Sequence, residues 1–169
     1  MRIIGIDPGY GLIGYGVIDY INYSQFHVAA YGAIATDKDM IFEDRLKQIY
    51  DEMKYIMDRT KPDVMAIEKL YFSQNVTTGI AVAEARGVIL LTAAQQGISV
   101  HEYTPNEIKL GVTGYGRAEK KQVMELTRQL LKLEKVPKPD DTADALAVAI
   151  CHAHTSGSAL GKLYEMYGK

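Results

Sequence analysis

The chain opens on a short apolar run that stops at a carboxylate: Ile3-Ile4-Gly5-Ile6-Asp7, followed at once by Pro8-Gly9. A run this short, closed by Pro and Gly, predicts a buried strand that delivers Asp7 to its C-terminal end. One Asp in that place would be an ordinary turn former. The device recurs, however, because Val64-Met65-Ala66-Ile67-Glu68 is a second apolar strand ending on an acid. A third acidic group, Asp140-Asp141-Thr142-Ala143-Asp144, opens an Ala-rich apolar segment. Separate elements that each end on carboxylate are how an oxygen-ligand metal site is assembled.

The pattern between these runs predicts the architecture. After the Gly-rich turn Pro8 to Gly11, the segments Gly14 to Tyr20 and Gln25 to Thr36 read as strands joined by turn residues Asn22-Tyr23-Ser24. Connections this short imply an antiparallel meander. Gly11, Gly14 and Gly16 allow backbone or ligand to approach closely. Asp37 to Asp39 supply helix-start chemistry, and Phe42, Leu46, Ile49, Tyr50, Met53, Ile56 and Met57 follow at helical spacing until Lys61-Pro62. A helical crossover makes the strand ending at Glu68 parallel to the first. A loop from Lys69 to Gln74 leads to a helix from about Asn75 to Gln96 with Gly97 as its stop. On that helix Gly79, Ala83 and Gly87 strip one face to backbone, for close packing either on the sheet or on another subunit. A fifth strand, Ile98 to Tyr103, precedes the capping box Thr104-Pro105-Asn106-Glu107, whose short helix ends near Gly111. Helices from about Ala118 to Leu133 and from near Asp141 to about His152 complete an α/β domain with a mixed five-stranded sheet. The expected domain is 1–154, with 155–169 a flexible tail.

Composition narrows the function classes. The 169 residues suit one domain with a sizeable core. No window approaches the ~18 apolar residues of a membrane span, and the start does not read as a signal peptide. Cys151 is the only cysteine, so no internal disulfide forms and a reducing, cytoplasmic setting fits. A net charge of −2 leaves no nucleic-acid footprint by itself. The charges are unevenly spread. Asp37 to Glu68 holds nine acids against six bases, while His101 to Pro139 holds eight bases against five acids. A charge run alone is most simply a solvated helical face.

Acids in a first helical turn complement the helix dipole, which accounts for one or two of Asp140, Asp141 and Asp144. Asp141 and Asp144, three apart, share a helical face. The dipole does not account for Asp7 and Glu68 ending central strands, where a carboxylate without a cation would be repelled by its neighbours. Oxygen ligands with no Cys or His partner point to Mg²⁺ or Mn²⁺ rather than Zn²⁺. Two such ions roughly 3.5–4 Å apart can activate water and stabilise the leaving oxygen in phosphodiester cleavage.

Ile4-Gly5-Ile6-Asp7-Pro8-Gly9, Ala66-Ile67-Glu68, Ala85-Arg86-Gly87 and Asp141-Thr142-Ala143-Asp144-Ala145-Leu146-Ala147, in this order and spacing, resemble the RuvC-type Holliday junction resolvases. The resemblance runs from about Met1 to His154. It implies an RNase H-like fold and a homodimer. It also implies Mg²⁺-dependent, paired nicking of opposed strands at a four-way DNA junction in recombination and repair. Two Mg²⁺ per subunit are implied, with Mn²⁺ able to substitute, as is a branch-migration helicase complex of the RuvA and RuvB type as partner. The catalytic, metal-binding carboxylates fall on Asp7, Glu68, Asp141 and Asp144. Some members carry His where this chain has Asp141, and Asp140 is an extra neighbour. Lys109 and Lys120 match basic residues near the scissile phosphate, with Arg117 and Lys121 on the same basic stretch expected to contact DNA. Tyr71 matches the aromatic placed at the junction centre, often Phe, and the adjacent Phe72 could share its role. The Gly79 to Gly87 helix matches the dimer-interface region.

Other candidates read more plainly. His152 and His154 alternate rather than sit a helical turn apart, and fit packing or surface roles. Cys151 fits a small buried apolar residue. An actin-like or sugar-kinase-like ATPase also begins with a strand, an Asp and a Gly-rich turn, but needs a second domain that this length cannot supply. A junction binder without catalysis would have no use for four carboxylates near DNA. A nuclease of the same fold acting on RNA–DNA hybrids differs only in substrate.

Overall fold

The computed structural model describes residues 1–70 and 76–157. Three strands come first: β1 (Arg2–Asp7), β2 (Leu12–Asn22) and β3 (Gln25–Ala35). Helix α1 (Phe42–Thr60), strand β4 (Val64–Glu68), helix α2 (Val76–Gln95) and strand β5 (Ser99–Tyr103) follow. Helices α3 (Pro105–Thr113), α4 (Lys120–Leu130) and α5 (Asp140–Ser156) close the described chain. The sheet order is β3-β2-β1-β4-β5. The first three strands are antiparallel, and β4 runs parallel to both β1 and β5. This is the mixed five-stranded sheet that the periodicity predicts.

Strand alternation assigns the faces. Ile4, Ile6, Met65 and Ile67 point into one core, shared with Ile49 and Met53 of α1 and with Ala85, Ile89 and Ala93 of α2. Ile3, Val64 and Ala66 point into the other, against α3, α4 and α5. Asp7 has the parity of Ile3, and Glu68 that of Val64 and Ala66. Both acids therefore end their strands on the α5 side. The parallel register pairs Ile6 with Ile67, so Asp7 and Glu68 are the next positions on adjacent strands.

Helix α5 lies unusually close to the sheet because β1 and β2 offer it glycines. A Cβ at Gly14 would collide with the Asp141 carbonyl oxygen, and one at Gly5 would stand 2.7 Å from the Ala149 nitrogen. From Thr142 to Ala153 the helix is buried apart from Asp144. The predicted close approach at Gly14 and Gly16 is thus filled by this helix.

Several boundaries differ from expectation. Asp37 to Asp39 form a turn, with the Asp39 amide donating to Asp37 Oδ1 at 2.9 Å. The first helix starts at Phe42, where Glu43 and Asp44 complement its dipole. Gly111 does not stop α3. The helix runs on to Thr113 and turns left-handed at Gly114, while Gly111 lets Cys151 of α5 pack against it. Helix α4 occupies only Lys120 to Leu130, since Glu119 makes a capping box with Gln122. Helix α5 begins one residue before Asp141 and continues to Ser156, inside the segment expected as a tail. Residues 158–169 lie outside the described residues.

On α2, Gly87 does not pack on the sheet, while Gly79 and Ala83 are half-buried. A side chain at Gly87 would meet nothing within 4 Å. Ile80 and Leu91 are each 54% exposed, while Ala85, Ile89 and Ala93 face the core.

His152 is a packing residue, as expected. Its Nδ1 lies 2.7 Å from the buried Tyr103 hydroxyl, and its ring is 4.7 Å from that of His101. Burial, with the His101 charge as a smaller cause, pushes its pKa down from 6.5 to about 4. The unfolded chain therefore takes up a proton that the native state refuses. Stability conferred by neutral His152 is present above pH 6.5 and is lost as pH falls through about 4. A shift of this size corresponds to about 3 kcal/mol. His152→Gln is expected to lose less stability than the parent between pH 6.5 and 4.5, read from urea midpoints. Parallel losses would mean that the imidazole does not drive the acid transition.

Candidate active site

The alternation of β1 and β4 and the seating of α5 bring Asp7, Glu68 and Asp144 to one place. Asp7 is pushed up from 3.8 to about 8, first by burial, then by the charges of Glu68, Asp144 and Asp141, with Lys120 opposing. Glu68 is raised by burial and by Asp144. Burial also raises Asp144, against a hydrogen bond from Lys120. These shifts describe acids that are buried first of all, and then crowded together with little positive charge between them.

Lys120, at the start of α4, is the cation that reaches this group. Its Nζ donates to Asp144 Oδ2 at 2.8 Å and lies 3.9 Å from Asp140 Oδ2. Asp140 also takes a bond from Lys138, and these cations hold its carboxyl below the usual range. Of the two neighbouring acids, Asp141 is the one whose charge acts on Asp7.

Two cavities open on the group. One of about 280 Å³ is lined by Asp7, Pro8, Glu68, Lys69, Leu70 and Pro105. The other, about 270 Å³, carries Glu68, Asp144, Lys109 and Lys120 over an apolar floor that includes Ile108 and Val123. Acids and lysines therefore line the same cavity. Arg117 and Lys121 are exposed and line neither cavity. Tyr71 and Phe72 lie outside the described residues. Cys151 is buried with its thiol pushed up to about 12, as suits a packing residue.

The donor set fits a hard divalent cation. It is all carboxylate, and its mutual repulsion is what such an ion relieves. Among the described residues, no three acidic, histidine or cysteine groups already form a metal cage. Like-charged side chains hold apart, and Asp144 is engaged by Lys120. Reading the sequence alone missed Arg45, a buried guanidinium behind the turn that follows Asp7. Its place in an amphipathic helix gave no signal distinct from a surface arginine.

A sheet of this order, with acids gathered where β1 and β4 end and on the helix crossing them, defines an RNase H-like domain of the nuclease kind. The model of the family "Crossover junction endodeoxyribonuclease RuvC" matches residues 3–152. The chain belongs to this family. A relative of that description from Alkaliphilus oremlandii is 51% identical over 167 residues, covering 99% of this chain and 98% of its own length. Another, from Fusobacterium nucleatum, is 49% identical over 160 residues, covering 95% and 84%. Among solved structures, T. thermophilus RuvC in complex with Holliday junction substrate matches with a TM-score of 0.89 at 29% identity, covering 93% of this chain and 95% of that one.

Proposed function

We propose that this chain resolves four-way DNA junctions by hydrolysing one phosphodiester in each of two opposed strands, and that Asp7, Glu68, Asp144 and Asp141 form its cutting centre. The observation that carries the site is the placement of Asp7 and Glu68 at the ends of adjacent parallel strands, lining one cavity together, while Glu68 and Asp144 share the next with Lys109 and Lys120. The family is one of metal-dependent nucleases. The four carboxylates would hold Mg²⁺, two ions per subunit, with Mn²⁺ as a substitute. The bound ions would supply positive charge where a water attacks phosphorus and where the 3′ oxygen leaves.

The remaining steps belong to the chain's own residues. Lys109 and Lys120 would bind the phosphate oxygens across the cavity and oppose the charge that builds on them. The apolar floor at Ile108 and Val123 would exclude bulk water from one side. Arg117 and Lys121, exposed near the start of α4, would neutralise more distant phosphates. Lys69 and Leu70 line the Asp7 cavity and lead into the segment that holds Tyr71 and Phe72. These aromatics would stack on bases opened at the junction centre, worth about 1–3 kcal/mol per base.

Paired cuts need two centres, and each chain carries one. The exposed face of α2, with Ile80, Gly87 and Leu91, supports a homodimer formed across it. A branch-migration helicase complex of the RuvA and RuvB type would deliver the junction. None of the described helices is long and apolar enough to cross a membrane, in keeping with a proposed cytoplasmic location.

The test is cleavage of a labelled synthetic junction, with Mg²⁺ and with EDTA, beside linear duplex and RNA–DNA hybrid. Symmetric, Mg²⁺-dependent nicks on the junction alone are expected. Cutting of the hybrid would move the substrate and keep the site. Binding without cutting in any metal would overturn the catalytic reading.

A further inference from the structure

Arg45 is 8% exposed, yet among the described residues its guanidinium has no carboxylate partner. Its Nε donates to Thr36 Oγ1 at 2.9 Å, and its Nη2 donates to the Tyr10 carbonyl at 3.2 Å. The same guanidinium lies 4.6 Å from the centre of the Tyr10 ring. Thr36 completes the lock. Its hydroxyl donates to the Tyr10 carbonyl at 2.6 Å, and its amide donates to the Gly11 carbonyl at 3.0 Å. Both lone pairs of the Tyr10 oxygen are thus engaged, which fixes the orientation of that peptide.

What this lock holds is the turn that follows Asp7. Pro8 begins it and lines the cavity shared by Asp7 and Glu68. The turn is tight at Gly9, where a Cβ would run into the Leu12 carbonyl. It ends as β2 begins, and β2 pairs back onto Asp7 through Gly14. Arg45 and Thr36 come from α1 and from the end of β3, so the turn is gripped from behind by elements that do not enter the site.

Stability alone does not call for an arginine here. A buried guanidinium without an anionic partner is costly, and its hydrogen bonds go to Thr36 and to the Tyr10 carbonyl of the turn, not to the core. The charges that shift Asp7 are those of Glu68, Asp144, Asp141 and Lys120, so the contribution of Arg45 is the shape of the turn. We propose that Arg45 is a positioning residue for cleavage: from α1 it fixes the Tyr10 carbonyl and thereby the turn that sets Asp7 at the mouth of the site. The inference rests on the reading of Asp7 as part of the cutting centre.

The experiment compares Arg45→Met, Arg45→Lys and Arg45→Ala with the parent and with Asp7→Asn. Single-turnover nicking, junction affinity in EDTA and melting temperature are measured for each. Arg45→Met is expected to nick at least about tenfold more slowly while affinity and melting temperature stay close to the parent, since small misplacements of a reacting group cost rate rather than binding. Arg45→Lys, which keeps the charge but loses the two-pronged donor, should fall between them. Millimolar guanidinium should restore part of the Arg45→Ala rate. Parent-like nicking by both Met and Lys variants would overturn the proposal. So would rate, affinity and melting temperature falling together with no guanidinium rescue, which is the pattern of a purely structural residue. Normal nicking by Asp7→Asn would instead sink the site assignment itself, whatever the Arg45 variants do.

Discussion

Replacing Asp7 by Asn is expected to abolish junction cleavage and, at the same time, to make the metal-free protein more stable at pH 8. Both effects come from one carboxyl. Asp7 titrates at about 8 in the fold against 3.8 as an isolated side chain, because it is buried and faces Glu68, Asp144 and Asp141. Between those values the native state keeps a proton that the unfolded chain releases. Stability associated with Asp7 is therefore complete below about pH 4 and is lost as pH rises through about 8. A shift this large corresponds to at most ~6 kcal/mol, and relaxation around the site reduces what survives to about 2–3 kcal/mol. Asn has nearly the same shape and never ionises, so the variant should gain that amount in EDTA at pH 8 and less at pH 5, with the gain vanishing only toward pH 4. Cleavage should fall by about 10³-fold or more, since several kcal/mol of transition-state stabilisation depend on a cation held there. Mg²⁺ should raise the melting temperature of the parent more than that of the variant. Urea unfolding at both pH values, with and without Mg²⁺, reads all of this. Equal pH slopes for the two proteins would show that Asp7 is not the strained group.

How much of this was legible in the sequence follows from how local each signal is. The runs ending at Asp7 and Glu68 carry their own evidence, because burial, a stop signal and a terminal acid all lie within a few residues. The parallel direction of the second run also follows from its helical crossover, while the adjacency that brings the two acids together is set by the sheet order. Helix ends were less legible. Asp37 to Asp39 have helix-start chemistry yet spend it on an Asx turn, and Gly111 has the look of a stop yet serves contact with Cys151. The first is a local side-chain bond that competes with the helix, and the second is decided by tertiary packing, which overrides local preference. The outward direction of Gly87 on α2 could not be read either. Its helix is apolar nearly all round, so periodicity does not say which side meets the sheet. The engagement of Asp144 by Lys120, 24 residues away in sequence, and the Arg45 lock on Tyr10 both depend on long-range placement that spacing does not encode.

The second large effect is expected from a single methyl group at Gly14. This residue is the β2 partner of Asp7, and a Cβ there would collide with the Asp141 carbonyl oxygen and stand 3.0 Å from the Thr142 nitrogen. These are backbone atoms in the first turn of α5, so no side chain can rotate aside. Either the strand or the helix must move, and the first turn of α5 carries Asp141 and leads directly to Asp144. Overpacking of this kind costs about 1–3 kcal/mol, more where backbone must shift. A displacement of about 1 Å at reacting groups can cost ~10²-fold in rate. Gly14→Ala is therefore expected to lower the melting temperature, to weaken Mn²⁺ binding read by electron paramagnetic resonance, and to slow nicking about a hundredfold. Gly87→Ala is the matched control. It adds the same methyl in a helix interior, where nothing lies within 4 Å. There the change removes the entropy that glycine costs a helix and should stabilise the single folded chain by up to ~1 kcal/mol with metal binding intact; nicking is not read from this variant, because the position lies on the proposed dimer face. Opposite signs for the two substitutions would locate the close contact between sheet and α5 as the feature that brings the acids together. Parent-like nicking and Mn²⁺ affinity in Gly14→Ala would mean that the acids are held by something other than this contact.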